Sequence, residues 1–200
     1  MFIKNHQTKT AVIVVHEIYG INLHMKGFCQ SLQGYGFDVF CPNLFGQETS
    51  FDYSQEKNAY NYFMEKVGFT AAVLQIKKMI SDIKDNYQKI FVVGFSVGAT
   101  VSWLCSEEKA VHGIVGFYGS RIREYMEITP QCPALLFFPQ EERSFNVDEL
   151  MAAFDKENTE VHKFNGQHGF SDPFSPVYYE ESAKDSLNIM ISFLLNQTSS

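Results

Sequence analysis

Long apolar runs, clustered basic charge and closely spaced cysteines are all missing from this 200-residue chain, and each gap removes a class of function. No run approaches the roughly 20 residues of a membrane span, and the opening Met1-Phe-Ile-Lys-Asn-His6 lacks the apolar stretch of a secretory leader. A cytoplasmic protein with no membrane partner is expected. Lys and Arg total 16 against 23 Asp and Glu, for a formal charge of -7. The basic residues are scattered, whereas a nucleic-acid surface needs them concentrated on one face. Cys29, Cys41, Cys105 and Cys132 form no Cys-x-x-Cys pair and sit mostly among apolar residues, so they read as buried free thiols. The histidines make no His-Glu-x-x-His pattern, and neither a metal nor a cofactor is expected. Repeats, low-complexity tracts and linkers are absent too, so residues 1–200 are expected to form a single domain. Nothing in the sequence indicates the oligomeric state, and a monomer is compatible with it.

What is present is an alternation of apolar runs and helical patterns, the sign of a mainly parallel sheet covered by helices on both faces. Strands are expected at Ala11–Val15, Phe37–Cys41, Lys89–Val93, Val111–Tyr118, Ala134–Phe138 and Val161–Phe164. Helices are expected over Leu23–Gln33, Thr70–Lys84, Val97–Cys105 and Asp148–Phe154, with a last one beginning at Ser182. In the second, Val73, Ile76, Ile80 and Ile83 share a face; in the last, Leu187, Met190, Ile191 and Leu194 do. Asn146 and Glu149 have the spacing of a capping box. The ten residues before the first strand are too few for an antiparallel hairpin, so a trimmed sheet of six to seven strands is expected, with Phe2–Lys4 as an edge. The tail from Asn196 is expected to fray. Pro42–Asn58 reads as a long irregular connection. Phe45, Phe51 and Tyr53 within it, with Tyr60, Tyr62 and Phe63 beyond, either wall a pocket above the sheet or pin the loop.

The most informative stretch is Gly94-Phe-Ser-Val-Gly98, set between an apolar strand and a helix-competent segment. A serine on so sharp a strand-to-helix turn takes up a strained backbone conformation close to neighbouring strands, which leaves no room for bulk two residues to either side. The turn lifts the hydroxyl above the sheet rim and aims the Val97 amide at the place where an oxyanion would form. Taken alone, the five residues would also suit an ordinary turn with Ser96 as a helix cap.

Partners follow later strands. In an open parallel sheet, reactive residues lie beyond the carboxyl ends of the strands. Glu141 and Glu142 follow Ala134–Phe138, and His168 follows Val161–Phe164, giving the order serine, acid, histidine of an α/β-hydrolase triad. A serine hydroxyl needs a base to take its proton as it attacks, which assigns that task to His168, and a carboxylate to fix the imidazole tautomer. Glu142 is the first choice for that acid and Glu141 the alternative, because adjacent residues leaving a strand point in opposite directions. The loop after the first long strand, His16 to Asn22, would supply a second oxyanion donor at Ile18. Tyr19, Phe45, Tyr118 and Arg121 are candidate substrate contacts. His6, His24, His112 and His162 read as structural or exposed.

Several segments resemble the dienelactone hydrolase family of α/β-hydrolases. Val14-Val-His-Glu-Ile-Tyr-Gly-Ile-Asn22 is similar to its oxyanion loop, Cys41-Pro-Asn-Leu44 to its Pro-Asp-Leu, and Gly94-Phe-Ser-Val-Gly-Ala99 to its elbow. Gly116-Phe-Tyr-Gly119 is similar to a Gly-Tyr-Tyr-Gly of that family, and His168 to Tyr178 resembles its histidine loop. The resemblance spans Ala11 to Leu195 and implies an α/β-hydrolase fold, a three-layer sandwich, with a small-molecule ester as substrate. The founding activity uses a cysteine nucleophile where this chain has Ser96. Glu17 matches a family glutamate that helps to activate that cysteine and is an accessory candidate. Family members acting on dienelactone hold its carboxylate with arginines, one of them shortly after the histidine. Ser171 and Asp172 occupy that region here, which argues against dienelactone itself.

Together these readings imply a serine hydrolase that cleaves a carboxylic ester, lactone or thioester. The alternative is a catalytically silent small-molecule binding protein on the same fold.

Overall fold

The computed structural model describes residues 1–4, 8–46, 50–154 and 158–198. Seven strands form one sheet in the order β1-β3-β2-β4-β5-β6-β7. They are β1 (Phe2–Ile3), β2 (Thr10–Val15), β3 (Asp38–Phe40), β4 (Lys89–Phe95), β5 (Gly113–Phe117), β6 (Ala134–Pro139) and β7 (Thr159–Phe164). All neighbours are parallel except β1, which pairs antiparallel with β3 through Phe2 opposite Phe40. The N-terminal edge strand is two residues long.

Alternation along each strand divides the core into two layers. Ala11, Ile13 and Val15 of β2, with Ile90 and Val92 of β4, face α3 (Gly68–Ile83), α4 (Val97–Leu104) and α5 (Val147–Ala152). Val12 and Val14, with Phe91, Val93 and Phe95, face α1 (Leu23–Gly34) and α6 (Glu180–Thr198). Both faces are covered, as apolar strands such as Val12–Val15 require: those four residues have no exposed surface. The expected helical faces are the buried ones. Ile76, Ile80 and Ile83 of α3 and Met190, Ile191 and Leu194 of α6 all lie in the core. The Asn146 side chain accepts hydrogen bonds from the Asp148 and Glu149 amides and starts α5.

Most element ends shift by one to three residues from the expectation, and two segments differ more. Pro42–Asn58 is not irregular throughout: a 3-10 turn at Tyr53–Gln55 leads into α2 (Glu56–Tyr62) and a π-helical segment, Phe63–Val67. Asp52 opens this run with a capping box to Gln55, a signal carried by the side chains rather than by apolar periodicity. Gly68 follows at φ +69°, a left-handed conformation that separates the run from α3. The last helix begins at Glu180, two residues early, and continues through Asn196 to Thr198, so the tail is helical to that point. Residues 47–49 of the loop, the end of the tail at 199–200, and His6 lie outside the described residues. No helix among the described residues is long and apolar enough to cross a membrane. All four cysteines are free and buried.

Candidate active site

Central strand β4 ends at Phe95, and the chain turns at Ser96 with φ 53° and ψ -114° before entering α4. A non-glycine residue at positive φ is costly and persists only where its surroundings hold it. They do so here by close approach. A Cβ on Gly94 would lie 2.0 Å from the Gly98 carbonyl oxygen, and one on Gly98 would lie 2.2 Å from the carbonyl oxygen of Val15. The Ser96 amide is anchored to the Phe117 carbonyl of β5 at 2.9 Å.

Two remote side chains meet this hydroxyl. His168, in the loop after β7, places Nε2 2.8 Å from Ser96 Oγ. Its Nδ1 lies 2.6 Å from Oε1 of Glu142, which follows β6. With Nδ1 donating to the carboxylate, Nε2 presents a lone pair to the serine hydroxyl, and the three groups form one line. The Glu142 side chain is only 7% exposed and that of His168 35%. Glu141 points to solvent. Of the two acids left open by the sequence, the structure brings Glu142 to the histidine.

Tyr118 supports the ring from beneath. It is the other non-glycine residue at positive φ among the described residues, at 43°. Its ring centroid lies 4.9 Å from that of His168, and its hydroxyl is 3.0 Å from Ser171 Oγ. Burial raises the hydroxyl well above the usual tyrosine range. With no exposed surface, Tyr118 is placed to hold His168 rather than to line a substrate cavity.

The loop after β2 faces the elbow. Ile18 and Val97 are both buried, and Val97 is the first residue of α4, where a helix amide has no internal partner. His16 ties this loop down: its Nδ1 donates to the Glu17 carbonyl at 2.7 Å, and its Nε2 accepts from the Leu44 amide at 3.0 Å. That pattern demands neutral imidazole, and burial lowers its pKa to about 4. Phe45 packs edge-on against His16 and joins Phe51 and Tyr62 in a three-ring cluster. Tyr19 is half-buried against Tyr53, and its carbonyl accepts from the Phe51 amide. Arg121 is not a free anion ligand. It donates to Glu124 and to the Tyr60 hydroxyl.

Sequence reasoning missed a group behind the loop. Glu17, His24 and Asp172 are each at least 96% buried, and His24 Nδ1 lies 3.5 Å from Glu17 and 3.6 Å from Asp172. Tyr53 donates to Asp172 at 2.5 Å, and burial raises the Asp172 carboxyl above the usual range. A cavity of about 230 Å³ between α1 and α6 has His24, Phe28, Phe95 and Phe117 in its walls, but neither Ser96 nor His168.

Over residues 1–198 the chain matches the dienelactone hydrolase family. The chain belongs to that family. The chain is similar to a Bacillus subtilis protein named "Uncharacterized protein YczH", 41% identical over 87% of this chain and 86% of its own length. A Yersinia pestis protein named "Putative carboxymethylenebutenolidase" is 23% identical over 91% of this chain and 76% of its own. Among solved structures, the dienelactone hydrolase-like promiscuous phosphotriesterase P91 from metagenomic libraries superposes with a TM-score of 0.76 at 18% identity, covering 95% of this chain and 87% of that one. At that identity the superposition shows the shared α/β-hydrolase fold. Family membership makes the protein a hydrolase of the ester or lactone type, with a small molecule as substrate.

Proposed function

We propose that this dienelactone hydrolase family member cleaves a carboxylic ester, lactone or thioester of a small molecule through an acyl-Ser96 intermediate. The reading rests on the unbroken line from Ser96 Oγ through His168 to Glu142.

His168 Nε2 takes the hydroxyl proton as Ser96 Oγ adds to the acyl carbon, and the Glu142 carboxylate stabilises the imidazolium that forms. The Val97 and Ile18 amides are the candidate donors to the negative oxygen of the tetrahedral adduct. One such donor is typically worth about two to three orders of magnitude in rate. His168 then hands its proton to the departing alkoxide or thiolate, leaving the acyl-enzyme. A water molecule, deprotonated by the same nitrogen, releases the acid and restores Ser96. Serine in place of cysteine makes the base indispensable, because a hydroxyl has no appreciable ionised fraction at neutral pH, unlike a thiol. Glu17, buried within the oxyanion loop, is assigned no step in this sequence.

The test is hydrolysis of short p-nitrophenyl esters, simple lactones and acyl thioesters by wild type and by Ser96→Ala. Turnover of at least one class is expected in wild type and should fall by several orders of magnitude in the variant. Equal rates for the two proteins would overturn the reading.

A further inference from the structure

Glu17, His24 and Asp172 arrive from three separate places: the loop after β2, the first turn of α1 and the histidine loop. Glu17 and His24 are 96% buried and Asp172 99%. Among the described residues, Glu17 Oε1 and His24 Nδ1 have no hydrogen-bond partner. Two buried polar atoms without a hydrogen bond are costly, and such atoms call for a partner.

The spacing of His24 from the two carboxylates suits a metal ion. His24 Nδ1 stands 3.5 Å from Glu17 Oε1 and 3.6 Å from Asp172 Oδ2, beyond the roughly 2.7–3.2 Å of an N–H···O hydrogen bond. All three atoms lie within 4.8 Å of one another. Around a water molecule making hydrogen bonds of about 2.8 Å, tetrahedral partners stand roughly 4.6 Å apart, too wide for the two shorter separations. Around a zinc ion with bonds of about 2.0–2.2 Å, they stand roughly 3.4 Å apart, close to both, and binding would draw the Glu17 and Asp172 oxygens together from within 4.8 Å.

The outer contacts suit the same partner. Asp172 is oriented by the Tyr53 hydroxyl at 2.5 Å and by the Phe174 amide at 2.9 Å. Tyr53 in turn accepts from Asn22 Nδ2 at 3.3 Å. Ligating carboxylates are held in this way when a site is built rather than accidental. The cavity between α1 and α6 reaches the His24 ring and offers a route in.

We propose that Glu17 Oε1, His24 Nδ1 and Asp172 Oδ2 bind one divalent transition-metal ion, with zinc fitting best, and that the ion pins the oxyanion loop to the histidine loop. An imidazole with two carboxylates supplies a donor set suited to zinc. Two buried carboxylates gain a counter-charge from the ion. This site is separate from the Ser96 line and does not depend on the ester-hydrolysis reading.

The experiment is titration of chelator-treated protein with Zn2+ by calorimetry, paralleled by Co2+ and its visible absorption. Wild type should take up one ion per chain, and Co2+ should give the intense band of a four-coordinate site. Glu17→Gln, which keeps the shape of the side chain, and His24→Ala should lose saturable binding. Tyr53→Phe, which spares all three ligands, should weaken it by about 10–100-fold. Should His24→Ala fail to fold, Glu17→Gln and wild type still decide. Absence of saturable binding in wild type overturns the proposal, and so does stoichiometric binding that Glu17→Gln leaves intact.

Discussion

Glu142 reaches His168 from the neighbouring strand end, 26 residues away in sequence, and its Oε1 lies 2.6 Å from the ring Nδ1 while Glu141 beside it faces solvent. The two glutamates differ by one position, and only Glu142 has a role in the proposed chemistry. Glu142→Gln should lower kcat by about two to four orders of magnitude, because an amide can present the wrong group to Nδ1 and leave the imidazole in the wrong tautomer. Ser96→Ala and His168→Ala should cost one to two orders more. Glu141→Gln should leave kcat within about twofold. Steady-state kinetics on whichever ester class is turned over checks the ranking, and an inactive Glu141 variant beside an active Glu142 variant would reverse the assignment.

Gly98 is the tightest joint between the elbow and the oxyanion loop. A methyl group there would meet the Val15 carbonyl at 2.2 Å and the His16 carbonyl at 2.8 Å, both backbone atoms that cannot step aside. Gly98→Ala should therefore cost about 3 kcal/mol or more. Urea denaturation measures it, and an unchanged midpoint would contradict the packing described.

Stability should fall in mild acid because of His16. Its native pKa is lowered to about 4 from the ordinary 6.5 by burial, so between these values the unfolded chain binds more protons than the native one. The stabilising effect is fully present above pH 6.5 and is lost as pH falls towards 4, about 3 kcal/mol in all. Asp172, raised by burial, acts with the opposite sign. The difference between wild type and His16→Gln isolates the histidine. Denaturation midpoints at pH 7, 5.5 and 4 should converge for the two proteins as pH falls, and parallel profiles would exclude this role for His16.

The strand-turn-helix at Ser96 was legible because its constraints are local: two glycines, an apolar strand before and a helix after. The alternation of strands with helices and the two buried helix faces were legible from apolar runs and period. The choice between Glu141 and Glu142 was not, since it turns on the register in which β6 leaves the sheet. The helical run from Tyr53 was hidden because its aromatic residues pack in different directions, Tyr53 on Tyr19, Tyr62 on Phe45 and Phe51, and Phe63 on Phe69, so they show no clean apolar face. Tyr53 and Asp172, 119 positions apart, could not be paired by any spacing rule. His16 is equally silent in sequence, because both of its partners are backbone groups.

The central claim is that Ser96 is the nucleophile, made reactive by His168. The most direct measurement is intact-protein and peptide mass spectrometry after treatment with a fluorophosphonate, comparing wild type with His168→Ala. Wild type should gain one adduct on the peptide carrying Ser96, and the His168 variant should gain it far more slowly. A wild-type protein that remains unlabelled at Ser96, or labels there at the same rate without His168, would contradict the account.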